Sequence, residues 1–165
     1  MRFSLIDRIV ELEPGAKIRA VKNLSLAEEY LADHFPRFPV MPGVLMLEAM
    51  TQAGAWLVRA SEDFAHTMVV LKEVANMKCG QFVAPGHALS VSAEILKDEE
   101  QQTKLKARGT VDGQTAVSAR LVLAKYNLAD GDPEMAEADA AMRELLRSFF
   151  TLLHHPETAV AETCT

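Results

Sequence analysis

From Val44 to Val58 the chain is apolar except at Glu48, Thr51 and Gln52. A run of that kind predicts one helix over about 43–60, and its nearly all-round apolarity predicts burial on most sides. Downstream the pattern shifts to strand-like runs over Thr67 to Cys79, Ala88 to Lys97, Gln102 to Val111 and Gln114 to Tyr126. Leu89, Val91, Ala93 and Ile95 alternate through the second run, and the third places Lys104, Lys106 and Arg108 on one face. Asp112-Gly113 is a strong hairpin turn between the last two. Upstream, Phe3 to Glu13 and Ala16 to Ala20 read as a hairpin closed by Glu13-Pro14-Gly15. Leu26 to Ala32 predicts a short helix, with Ser25 as N-cap and Glu28 completing a capping box. Pro36, Pro39 and Pro42 then forbid regular helix.

A hairpin, one long helix and an antiparallel run of strands make an α+β plan, with the sheet wrapped on the helix. The tail has a different pattern. Asp132-Pro133 supplies an N-cap and an N1 proline. Met135, Ala138, Met142, Leu145, Phe149 and Leu152 then recur at helical spacing through about His154. This amphipathic helix must dock on its own sheet or on another subunit. The expected organisation is one sheet-and-helix domain over 1–130, the added helix over 131–154, and a disordered tail over 155–165.

The length of 165 residues suits a single core. A net charge of −6 argues against a general nucleic-acid binder, which is usually basic. Cys79 and Cys164 form no CxxC and read as free thiols of a reducing compartment. The first residues lack the features of a signal peptide, and no charge-free apolar stretch reaches about 18 residues. The expectation is a cytoplasmic protein with no membrane insertion. His154-His155 reads as a solvated helix end rather than a metal site. Lys104, Lys106 and Arg108 read as a solvated strand face, with docking of an acidic carrier protein as the alternative. Asp98-Glu99-Glu100 reads as a polar turn.

The chemistry concentrates between His34 and Gln52. His34 stands in the proline-punctuated loop, and Glu48 follows fourteen residues later inside the apolar helix. An ionised carboxylate there costs several kcal/mol unless it is paired. Glu48 therefore either faces another polar group or keeps its proton, and a protonated Glu could donate to a departing hydroxyl. Histidine takes up protons near neutral pH, so His34 is a candidate base. Gly43 opens the helix, where free N–H groups could steady negative charge on a carbonyl oxygen. Gln52, one turn beyond Glu48, could orient it. Each residue alone also fits a structural role; the combination points to acid–base chemistry.

HFPRFPVMPGVLMLEAMTQAG resembles the signature of the beta-hydroxyacyl-[acyl carrier protein] dehydratases of the FabZ type, approximately HFPGxPxMPGVLxxEAxAQ. LIDRIVELEPGAKIRAVKNLS, MKCGQFVAPGHALSVSAEILK and TVDGQTAVSARLVLA resemble further segments of that family, so the likeness covers roughly residues 2–126. The resemblance implies a hotdog fold, and a lyase that dehydrates a beta-hydroxyacyl thioester carried on the phosphopantetheine arm of acyl carrier protein, without metal or bound cofactor. It implies a homodimer, often in a trimer of dimers, with each site taking His from one subunit and Glu from the other. His34 would be the base at the alpha carbon and Glu48 the acid for the beta hydroxyl. The N–H of Gly43, with that of Val44, would hold the thioester carbonyl, and Phe35, Met41 and Phe82 would wall the acyl tunnel.

The chain departs from the family pattern at four places. Arg37-Phe38 replaces the usual Gly-Arg after HFP; His87 stands where an acidic residue commonly follows glycine; the usual amino-terminal helix is missing; and the carboxyl-terminal helix is added. Two other functions stay open from sequence alone. One is a hotdog acyl thioesterase; the other is a non-catalytic acyl-carrier or scaffold partner.

Overall fold

A computed structural model describes residues 3–155; Cys164 and the expected tail from 156 onward lie outside the described residues. Six strands and two α-helices are found among the described residues: β1 (Arg8–Glu13), β2 (Lys17–Asn23), α1 (Gly43–Ser61), β3 (Met68–Cys79), β4 (Ala88–Glu99), β5 (Gln102–Val111), β6 (Gln114–Tyr126) and α2 (Ala136–Leu153). The strands form one antiparallel sheet in the order β1-β2-β4-β5-β6-β3. After β2 the chain runs through α1 and enters the far edge of the sheet as β3, so α1 lies across the sheet's inner face. This is the α+β hotdog arrangement.

Strand alternation decides which face meets the helix. In β5, Thr103, Leu105, Ala107, Gly109 and Val111 are buried, while Lys104, Lys106 and Arg108 point to solvent. The same period buries Leu89, Val91 and Ala93 of β4. The sheet comes close enough to α1 that a Cβ at Gly54 would sit 2.6 Å from Leu105 Cδ1. Asp112 and Gly113 both have positive φ (50° and 78°), as a tight hairpin turn of right-handed strands requires.

Four expectations need correction. The segment over 26–32 is only a 3-10 turn, Glu29–Leu31, with no side-chain cap. Ser25 Oγ accepts from the nearby Ala27 N–H at 3.1 Å, and Glu28 instead pairs with the buried Lys22 Nζ at 2.6 Å. A side chain held by a buried ammonium cannot also close a capping box. Second, the expected burial of α1 on most sides holds from Ala53 to Val58 but not in its first half. Val44 is 69% exposed, and Leu45, Leu47, Glu48 and Gln52 are half-buried, because the sheet covers one side only. Third, Asp98 is more than a turn residue. It lies in β4, accepting from buried Lys125 Nζ at 2.8 Å and Thr103 Oγ1 at 2.5 Å. Lys125 also pairs with Glu62 at the end of α1. Beside it, hydrogen bonds from Lys97 and Gln102 pull the Glu99 carboxyl down to about 2.

The fourth correction concerns α2. Asp132 does accept from the Glu134 N–H, but the turn it caps (Pro133–Met135) is 3-10, and the α-helix starts at Ala136. Of the expected stripe, Met135, Ala138, Met142, Leu145 and Leu152 are exposed, and only Phe149 packs inward. The docked face is instead Asp139, Arg143, Leu146, Phe150 and Leu153, also at helical spacing. Two polar residues turned the helix. Asp139 accepts from Thr67 Oγ1 and from the N–H groups of Leu128 (3.1 Å) and Ala129 (2.8 Å). Arg143 Nε donates to the Phe64 carbonyl at 2.9 Å. Phe149 and Phe150 then pack on Trp56 at 5.8 and 6.0 Å between ring centroids. The added helix thus docks on its own chain, over the second half of α1.

Candidate active site

The loop between the 3-10 turn and α1 is closed by main-chain bonds. Phe38 N–H donates to Phe35 O (2.9 Å), Val40 N–H to His34 O (3.0 Å), and Met41 N–H to Val83 O (2.8 Å). His34 Nδ1 lies 2.9 Å from the Val40 carbonyl oxygen. A carbonyl only accepts, so Nδ1 carries the hydrogen, and in the neutral ring Nε2 keeps its lone pair. The ring stacks on Phe35 at 4.4 Å. His34 is thereby fixed as one tautomer in one orientation.

His34, Met41, Gly43, Met46, Cys79, Gly80, Gln81 and Phe82 line a cleft of about 200 Å³. Pro42 precedes α1 without a side-chain cap, and its carbonyl takes the N–H groups of Leu45 and Met46. The N–H groups of Gly43 and Val44 have no helical partner, as at any first turn. A Cβ at Gly43 would stand 3.3 Å from Cys79 Sγ, so a side chain there would crowd the cleft floor. Of the residues expected near the substrate, Met41, Gly43 and Phe82 line this cleft. Phe35 lies against His34, and Val44 points outward beside the mouth. Phe38, at the Arg37-Phe38 departure, packs edge-on against Phe82 at 5.7 Å. Gln81 was not legible as a site residue; its buried Oε1 has no hydrogen-bond partner among the described residues.

Glu48 is elsewhere. It lines a separate cleft with Phe3, Ser4, Gln52, Trp56 and Arg59 among others. It faces a polar group there: Gln52 Nε2 donates to Glu48 Oε1 at 3.0 Å. Gln52 Oε1 accepts from the Leu5 N–H at 2.8 Å, so the amino-terminal segment braces the residue that braces Glu48. The separation from His34 follows from helix geometry. Met46, in the His34 cleft, and Glu48 are two residues apart, about 200° around α1. They occupy nearly opposite faces, so one chain does not bring His34 and Glu48 into one cleft. β3 is a twelve-residue edge strand, bonded only to β6 and largely exposed.

The other candidates resolve simply. His87 Nδ1 pairs with Asp112 Oδ2 at 3.0 Å, and His154 caps α2 while packing on Phe150. Among the described residues no three His, Cys, Asp or Glu side chains group as a metal site, and no helix is long and apolar enough to cross a membrane.

A FabA-like domain family model matches residues 1–120. A 3-hydroxyacyl-[acyl-carrier-protein] dehydratase FabZ of Ruminiclostridium cellulolyticum is 41% identical over 122 residues, covering 74% of this chain and 86% of that protein. The protein of the same name from Dechloromonas aromatica is 40% identical over 129 residues, covering 76% and 90%. Among solved structures, the dehydratase heterocomplex ApeI:P of Xenorhabdus doucetiae matches with a TM-score of 0.65 at 16% identity, covering 81% of this chain and 90% of that one. A mutant thioesterase of Pseudomonas aeruginosa matches at 0.55 and 16%, covering 72% and 79%. At such low identity both speak to the fold alone. With its motif, its sheet-wrapped helix and relatives above 35% identity over most of their length, the chain belongs to the FabA-like family, among its FabZ-type dehydratases.

Proposed function

We propose that this protein dehydrates 3-hydroxyacyl-[acyl carrier protein] to trans-2-enoyl-[acyl carrier protein] in fatty acid or related lipid synthesis. The observation that carries the shared-site reading is that the His34 cleft and the Glu48 cleft lie on nearly opposite faces of α1. A base without its acid on one face, and an acid without its base on the other, are completed by a two-fold copy. His34 Nε2 takes the proton from C2, and the electrons pass into the thioester carbonyl, whose oxygen is held by the N–H groups of Gly43 and Val44. Glu48 delivers a proton to the C3 hydroxyl, the C3–O bond breaks, and water leaves. Proton return from His34 to Glu48 resets the site.

Gln52 keeps Glu48 aimed into its cleft, and the Val40 carbonyl holds Nε2 of His34 free for the proton. Met41 and Phe82 flank the thioester, and Phe35 guards the base. The reaction calls on no bound cofactor, since the thioester itself acidifies C2. The partners are acyl carrier protein and a second copy of this chain, and the working compartment is the cytoplasm.

The test is complementation. His34→Ala and Glu48→Ala chains are refolded together and assayed for enoyl product. Each mixed dimer retains one intact site, so activity returns toward half of wild type per mixed dimer although each parent is inactive. No recovery in verified mixed dimers would refute a shared site; release of free thiol in place of enoyl would refute dehydration.

A further inference from the structure

The Glu48 cleft extends well beyond the reacting end. Glu48, Gln52, Ala55, Trp56 and Arg59 fall at i, i+4, i+7, i+8 and i+11 on α1, a single stripe about 16 Å long. The cleft, about 380 Å³, follows that stripe. Val69, Val70 and Leu71 of β3 wall it, and Leu146 and Phe149 of α2 close it. Its waist is apolar, as an acyl tail requires, yet it ends on a guanidinium.

Arg59 is half-buried and incompletely satisfied. Nη2 donates to the Thr67 carbonyl at 3.2 Å, the guanidinium carbon lies 5.4 Å from the Trp56 ring centroid, and Nε is buried with no acceptor among the described residues. Desolvation pushes Arg59 down to about 10, so it remains a cation at neutral pH. A bare methyl end reaching this point would strip water from the cation and return no acceptor. An oxygen at the chain end would accept from the guanidinium where it lines the cleft.

We propose that Arg59 is a specificity-determining residue, selecting acyl chains whose far end carries an oxygen acceptor, and that α2 sets the length at which that end meets it. The inference rests on the assignment of Glu48 to the reacting end of the substrate. An end carboxylate gains charge-assisted bonds from the guanidinium, and a hydroxyl or carbonyl gains weaker ones.

The test uses the full-length protein with 3-hydroxyacyl carriers matched in length and ending in carboxylate, hydroxyl or methyl. A short chain that stops before Arg59 serves as the wild-type control. Wild type is expected to favour oxygen-ended over methyl-ended chains by about tenfold or more in kcat/KM, mainly through KM. Arg59→Met abolishes that preference, and Arg59→Lys retains part of it. Phe149→Ala, which deepens the cleft from the α2 side, moves the preferred oxygen-ended chain to greater length and serves if Arg59→Met does not fold. Wild-type preference for methyl-ended chains, or an unchanged preference in Arg59→Met, overturns the inference. Turnover of the short control with no end-group preference sinks this inference alone, whereas no turnover of the control sinks the dehydratase reading beneath it.

Discussion

At its amino end α1 starts from an uncapped glycine, beside a cleft rimmed by the exposed rings of Phe35, Phe38 and Phe82. At its carboxyl end the same helix meets dense pairing. Glu62 joins Lys125 and His66, while Arg143 and Arg147 of α2 bind the carbonyls of Phe64 and Asp63. The contrast teaches where each region's free energy goes. Groups left open at the amino end are available to a ligand, and groups satisfied at the carboxyl end hold the helix in the sheet. Substitutions at the first end should cost activity and leave stability nearly intact; at the second the order reverses, Arg59 excepted.

The largest effects are expected at the open end. His34→Ala and Glu48→Ala should each lower enoyl formation by at least about a hundredfold, the scale of losing a general acid or base. Thermal unfolding of the same variants should stay close to wild type, because neither side chain is buried in the core. A drop in melting temperature as large as that of any carboxyl-end variant would erase the contrast.

Next comes Lys125→Met. Lys125 is nearly sealed from water, and its removal leaves Glu62 and Asp98 facing each other without a cation. Breaking a fully buried pair costs about 3–5 kcal/mol, but both carboxylates here keep access to water, so about 2 kcal/mol is the expected loss. Urea unfolding measures it. Turnover per folded molecule should be unchanged; a matching fall in kcat would tie this network to the chemistry.

How much of this was legible follows from what each residue answers to. β4, β5 and β6 could be read almost to the residue because one buried face imposes a period of two, and Asp112-Gly113 marks its own turn. Motif spacing singled out His34 and Glu48 as candidates together. Their placement in separate clefts follows from Met46 and Glu48 being two residues apart on one helix. The capping box failed because Glu28 belongs to Lys22, a partner across the fold. The α2 stripe failed for a related reason: Asp139 and Arg143 look solvent-facing by composition, but main-chain groups of distant turns satisfy them. Arg59 and Gln81 carried no local signal, since only tertiary packing buries their polar atoms.

Asp139 allows a pH-resolved test of the closed end. The Thr67 hydroxyl, and then the N–H groups of Ala129 and Leu128, hold its carboxyl below the ordinary 3.8. A carboxyl depressed in the folded state contributes stability that is complete above its unfolded value and is lost as pH falls through its folded one. Asp139→Asn should therefore unfold at lower urea than wild type at pH 7, with the gap narrowing at pH 3. An equal gap at both values would mean that shape rather than charge ties α2 down.

The smallest expected effect returns to the open end. Phe38→Ala removes the edge-on contact with Phe82, worth about 0.5–1.5 kcal/mol beyond area burial when rings are well packed. Both rings are more than half exposed, so stability should fall by less than about 1 kcal/mol. The Phe35–Phe38 turn should survive, since its bonds are main chain to main chain, and His34 should stay aimed, since Val40 rather than Phe38 holds Nδ1. KM should then rise a few-fold at nearly constant kcat, through a looser cleft mouth. If kcat falls in step with the rise in KM, the base is held by the side chains of its loop and not by the backbone, and the amino end of α1 is less open than its geometry implies.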